Sequence, residues 1–256
     1  MQTFLSLWTN MSPMRKRYAL RLLGRCILLV LCVLACIFQP EIFTVLQGMN
    51  FFSGFTWLHV LWIIWVVDMI AQLIPVRAHI SLGSQKLWRM RFKPLLDKVS
   101  MQAIKEHIIA TSRAAFWVLL LWAALIAVIG VLARIGLMTD TALFMTTMVF
   151  YVCDLICVLI WCPFRLIMKN RCCTTCRIFN WDHLMMFSPL IFVGGFYCWS
   201  LLAMSIAAWL VWELCVFFHP ERFWEKSNGA LSCANCTDKL CTQYCRKLRP
   251  KKPSPM

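Results

Sequence analysis

Five stretches of this chain, at about residues 18–38, 55–74, 114–132, 141–161 and 187–217, are apolar over lengths that a lipid bilayer accounts for. The hydrocarbon core of a membrane is about 30 Å thick, and a helix needs about 20 apolar residues to cross it. Of the 256 residues, 61% are hydrophobic, more than a soluble domain of this size carries. Hydrocarbon offers the backbone no hydrogen-bond partner, so such stretches are expected to be helical. The expected fold is therefore an all-α integral membrane protein. A bundle of about five transmembrane helices fills residues 1–218, and a short cysteine-rich basic tail follows at 219–256. The longest segments outside the spans, about 77–112 and 219–256, are under forty residues each and too short to build cores of their own.

The formal net charge is +15, and the basic residues gather beside the apolar spans. Arg15, Lys16, Arg17, Arg21 and Arg25 precede or open the first span, and the loops 76–113 and 163–184 are also rich in Lys and Arg. Flanking Lys and Arg mark the cytoplasmic side of a span, which places the N-terminus and both loops there. This distribution points to anionic lipid headgroups as the electrostatic partner and excludes nucleic acid. Val33-Leu34-Ala35-Cys36 is a weak cleavage box. An uncleaved first helix from about Tyr18 to Phe38 is the better reading, with its arginines snorkelling to the headgroups.

The last apolar run, Met185 to Phe218, is longer than one crossing needs and shorter than two. A single tilted or kinked helix over 187–217 makes five crossings and puts the tail opposite the N-terminus. A re-entrant turn around Pro189 to Gly195 returns the tail to the basic side, in keeping with its Lys and Arg residues.

The tail carries Cys233, Cys236, Cys241 and Cys245 at C-x2-C-x4-C-x3-C, in a polar setting where cysteine gains nothing as a small apolar residue. A C-x2-C turn brings two sulfurs onto one ion, and thiolate quartets bind zinc or iron–sulfur clusters. Between Cys233 and Cys245 the spacing resembles a ferredoxin-like iron–sulfur quartet of the electron-transfer subunits of dimethyl-sulfoxide-reductase type enzymes. The resemblance implies a [4Fe–4S] cluster on these four cysteines. It also implies electron transfer with a soluble redox protein or a membrane complex, in the plasma membrane of a prokaryote.

A second cluster, Cys172, Cys173 and Cys176, follows the fourth span, with Cys162 at that span's end and Asp182 and His183 nearby. It reads as a second metal site or a partner of the first. Cys173 and Cys176 also form a pair of the kind used in thiol–disulfide exchange, with Arg171 and Arg177 expected to favour their thiolates. Asp68, Asp154 and Glu213 are costly within spans unless partnered. Asp154 shares a helical face with Cys157 and Trp161, so it is either a proton relay to a redox sulfur or a helix–helix hydrogen-bonding group reaching Thr146 or Ser205. The catalytic candidates are thus Cys173, Cys176 and Asp154. His59, among Trp57 and Trp62, reads as an interfacial residue. The composition and motifs give no support to a hydrolase or kinase. Three functions stay open: an iron–sulfur redox protein, a zinc-binding docking protein without activity, and a membrane thiol–disulfide oxidoreductase.

Overall fold

Proline ends or opens nearly every helix. The first, α1 (Pro13–Phe38), starts with Pro13 in its first turn and the Ser12 hydroxyl accepting from the Arg15 amide, and it stops before Gln39-Pro40. Helix α2 (Trp57–Leu73) opens on a capping box between Thr56 and His59 and ends two residues before Pro75. Helix α3 (Met101–Arg134) is capped by Ser100, and α4 (Asp140–Leu159) by Thr139. Short helices α5 (Phe164–Met168) and α6 (Asp182–Phe187) follow, then α7 (Phe196–Phe218), which stops at His219-Pro220. The computed structural model describes residues 11–74, 81–95, 99–170, 172–236 and 238–240.

The chain is all-α, as its composition predicts; α1, α3, α4 and α7 are long and apolar enough to cross a membrane, and α2 is a shorter apolar helix of 17 residues. The third span is longer than its apolar run, because Met101 to Arg134 forms one helix of 34 residues. One expectation changes: the last apolar run is not one helix. It divides into α6, a 3-10 stretch over Ser188–Phe192, and α7.

This division decides the direction of everything after it. Asp182, at the start of α6, accepts from Gln72 near the end of α2 (3.2 Å). Phe196, at the start of α7, donates its amide to Gly48 O at 2.8 Å, in the loop between α1 and α2. The Asp182–Gly195 stretch therefore runs from one end of the bundle to the other, largely covered as far as Leu190 and exposing Ile191, Phe192 and Gly194 near its far end. Pro189 and the left-handed Gly194 (φ 78°) interrupt its helix. Irregular backbone is tolerated there where protein packs on it, at the buried Pro189, Leu190 and Gly195. Phe187 packs on Trp65 (5.1 Å between rings), and Trp122 donates to Ser188 Oγ at 3.0 Å.

Helix α7 then returns to the starting end, where the tail is sewn to the 81–95 segment. Leu95 N donates to Ser227 O (2.9 Å), Gly229 N to Lys93 O (2.8 Å), and Arg222 Nη1 to Leu87 O (2.8 Å). Ser12 Oγ donates to Asp238 O at 2.7 Å. The start of α1, both basic loops and the described part of the tail thus share one end. One core, around Trp65, Phe144, Phe187 and Tyr197, binds α1, α2, α4, α6 and α7. A second, around Trp212, Phe223, Leu87 and Trp181, lies at the basic end and holds the loops and tail onto α3 and α7.

Candidate thiol centre

The loop after α4 is shaped by Asn170, whose Oδ1 accepts from the Cys172 amide (3.2 Å) and the Thr175 hydroxyl (3.1 Å). Cys173–Thr175 forms a 3-10 turn closed by Cys176 N on Cys173 O at 3.0 Å. The tail repeats this: Cys233–Asn235 is a 3-10 turn closed by Cys236 N on Cys233 O at 3.4 Å. In both turns a later amide donates to the second sulfur. Ile178 does so for Cys176, and Lys239, itself left-handed at φ 45°, for Cys236 at 3.4 Å.

The two turns are close enough to affect each other electrostatically. Burial raises the Cys236 pKa, the Lys239 amide opposes it, and Asp238 and Cys172 add to the rise. Cys241 and Cys245 lie outside the described residues. Among the described residues, no three His, Cys, Asp or Glu side chains are arranged to hold a metal ion.

Cys162, Cys172, Cys173 and Cys176, anticipated as one site, do line one cavity of about 250 Å³, together with Cys153, Cys157, Asp154 and Asp182. The Cys157 thiol donates to the Cys162 sulfur, which also receives the Phe164 and Arg165 amides at the start of α5. Led by the Cys157 bond, these lower the Cys162 pKa to about 7 against the effect of burial. The expected activation of Cys173 and Cys176 by Arg171 and Arg177 is not what the structure provides. Burial pushes Cys173 up to about 12 and raises Cys176 as well. Arg177 is committed elsewhere, gripping Glu213 with both terminal nitrogens, while Trp181 Nε1 donates to the same carboxylate at 2.8 Å. Arg171 lies outside the described residues.

The cation that does face the loop thiols is Lys86, which no sequence pattern marks. Its side chain is 2% exposed, with Nζ donating to Cys176 O at 3.1 Å and lying 5.1 and 5.4 Å from the Trp212 and Phe223 ring centres. No carboxylate pairs with it among the described residues. Burial lowers its pKa to about 7, opposed by the charges of Cys176 and Cys172.

Within the bundle, Asp154 reaches neither Thr146 nor Ser205, which bond to their own helices. Its partner is Arg25 Nη1 at 2.7 Å. Arg25 does not snorkel. It is 7% exposed, donates to Tyr151 O at 2.6 Å, stacks 3.9 Å over the Tyr151 ring and also faces Asp68 at 3.8 Å. Arg21 and His183 face Asp68 at 3.9 and 3.8 Å, and His183 lies 3.3 Å from Asp182. Three carboxylates thus meet two guanidinium groups and one imidazole, a set that is neutral when His183 is protonated. A second cavity of about 540 Å³ follows these groups, and Asp154 and Asp182 line both cavities. His59 is buried and structural, with Nε2 2.8 Å from Phe51 O.

The fold and site define an all-α integral membrane protein with clustered thiols at one end. Comparison with known proteins adds no family: no family model, curated protein or solved structure matches the chain.

Proposed function

We propose that the chain is a membrane-anchored, metal-binding redox protein, with an iron–sulfur centre held by cysteines at the basic end of the bundle. The observation that supports this most is the matched pair of C-x2-C turns, Cys173/Cys176 and Cys233/Cys236, each with a backbone amide on its second sulfur. Amides donating to sulfur stabilise thiolate ligands and tune the potential of a cluster. Cys233 and Cys236 are ligands of the tail quartet, with Cys241 and Cys245 as its further members by spacing. The neighbouring turn either completes this centre or contributes to a second one, with Cys162 and Cys172, which line the same cavity, as its further candidate donors. When bound, a [4Fe–4S] cluster supplies one-electron transfer. Lys86 and Arg165 offset the negative charge of its thiolates.

The basic end faces the cytoplasm of a prokaryotic plasma membrane in this reading, since Lys and Arg gather there. A soluble redox protein docks at that end and exchanges electrons with the membrane through it. A thiol–disulfide oxidoreductase is the second reading, favoured by the hydrogen-bonded Cys157 and Cys162 with a lowered Cys162 pKa.

Anaerobically purified protein decides between them. The expected result is about four iron and four acid-labile sulfide per chain with a visible charge-transfer band. Cys233→Ala/Cys236→Ala is expected to abolish the centre, and Cys173→Ala/Cys176→Ala to abolish or deplete it. About one zinc per chain in colourless protein replaces the redox reading with a zinc-binding docking protein. No metal after reconstitution overturns both.

A further inference from the structure

The thiol cavity differs from the usual surroundings of a metal ligand in having a wall made for an apolar ring. Trp122 of α3, Phe150 of α4 and Phe164 of α5 form that wall, with Trp122 4.8 Å from Phe150 and 6.3 Å from Phe164 between ring centres. It lies where the last turns of α4 meet the 162–176 loop, and its Cys153 is exposed on the face of α4 that also carries the exposed Val149. The rest of its wall is chemical: the thiols Cys157 and Cys162, those of the 172–176 loop, and the carboxyl groups Asp154 and Asp182.

We infer that this cavity binds the ring of a lipid-soluble quinone. An acyl chain uses the apolar wall alone, whereas a quinone uses both. Its flat ring packs on the aromatic side chains, and its two carbonyl oxygens face groups able to supply protons. The stoichiometry also fits. When two thiols close to a disulfide, two S–H bonds break and one S–S bond forms, and the two electrons and two protons released turn one quinone into one quinol. Cys157 and Cys162 supply the electrons, and Asp154 and Asp182 carry protons between sulfur and ring oxygen. These two carboxyl groups also line the larger polar cavity with Arg21, Arg25 and Asp68, which connects them toward the basic end. The inference rests on the redox part of the proposed function, and on neither the identity nor the presence of a metal.

The test uses the full-length chain purified in detergent and a fully substituted benzoquinone with a ten-carbon tail, which cannot alkylate thiols by addition. In a Cys157→Ser/Cys162→Ser background, which removes the oxidation step, N-ethylmaleimide labelling of Cys153 is followed by mass spectrometry. Saturating quinone is expected to slow that labelling at least fivefold, while decanol at the same concentration leaves it unchanged. Val158→Phe, which fills the partition between the cavities, is expected to abolish the protection while the protein still elutes as a single species. Unchanged labelling with quinone, or equal protection by decanol, overturns the inference. Protection that survives in Cys173→Ala/Cys176→Ala protein separates this site from the metal centre. Conversely, full iron content without protection by quinone sinks this inference alone.

Discussion

Arg25 is the residue on which the polar interior turns. It lies in the fourth turn of an apolar helix, yet its guanidinium is spread over Asp154, Asp68, the Tyr151 carbonyl and the Tyr151 ring. Leaving a carboxylate buried without its cation costs far more than the pair gains, because the low-dielectric surroundings no longer offset its lost hydration. Arg25→Met is therefore expected to destabilise the detergent-solubilised protein by about 3–5 kcal/mol. Adding Asp154→Leu to it is expected to restore most of that loss, since Asp68 keeps Arg21 and His183 as partners. Thermal unfolding of the two variants beside the parent measures both effects. Equal midpoints for the single and double variants would show that the ion pair is not what Arg25 contributes.

At the scale of elements, the Asp182–Gly195 stretch is the piece whose shape depends on single residues. Gly195 sits where the chain turns into α7, and a Cβ there would stand 1.9 Å from Leu46 O and 2.7 Å from its carbonyl carbon. Backbone atoms cannot move aside as a flexible side chain can. Gly194 is left-handed at φ 78° but has open space around it. Gly194→Ala is thus expected to cost about 1–2 kcal/mol of strain. Gly195→Ala is expected to cost more, about 3 kcal/mol or above, because α7 must part from the 40–48 loop. Unfolding midpoints of the purified variants rank the two. The same stretch shows where sequence reading succeeded and where it stopped. Helices α1, α3, α4 and α7 were legible because each carries an apolar run of spanning length, and proline marks both ends of α1 and the end of α7. The broken crossing was not, because Asp182 to Gly195 is shorter than any spanning run, and Pro189 with two glycines signals a break without saying what lies beyond it. Arg25 with Asp154, and Lys86 with the loop thiols, left no local signal, since each pairing joins segments far apart in the chain. The cysteine spacings were legible, and both C-x2-C pairs do form turns. That both turns lie at one end of the bundle depended on the crossing that the sequence left open.

For the whole molecule, the consequence is an even number of passages between Ser12 and the tail, made by α1, α2, α3, α4, the Asp182–Gly195 stretch and α7. Each passage is fixed by contacts at its ends. Gln47 donates to Asp140 at 2.7 Å and Phe196 to Gly48 at 2.8 Å at one end, while Ser12 meets Asp238 and Leu82 donates to the Asp238 carboxylate at 2.5 Å at the other. Reversing the tail would break the second core as well as those bonds, because Trp212, Phe223 and Leu87 are buried together there. Reporters fused to the two termini are therefore expected to agree: a fluorescent protein that matures only in the cytoplasm should fluoresce at both. Alkaline phosphatase, active only outside, should stay inactive at both and become active when inserted at Gly136. An impermeant maleimide should leave Cys233 and Cys236 unlabelled in intact cells and label them after lysis. Opposite results at the two termini would return the chain to five crossings, separate the two C-x2-C turns by the membrane, and with them dissolve any centre that draws sulfur from both.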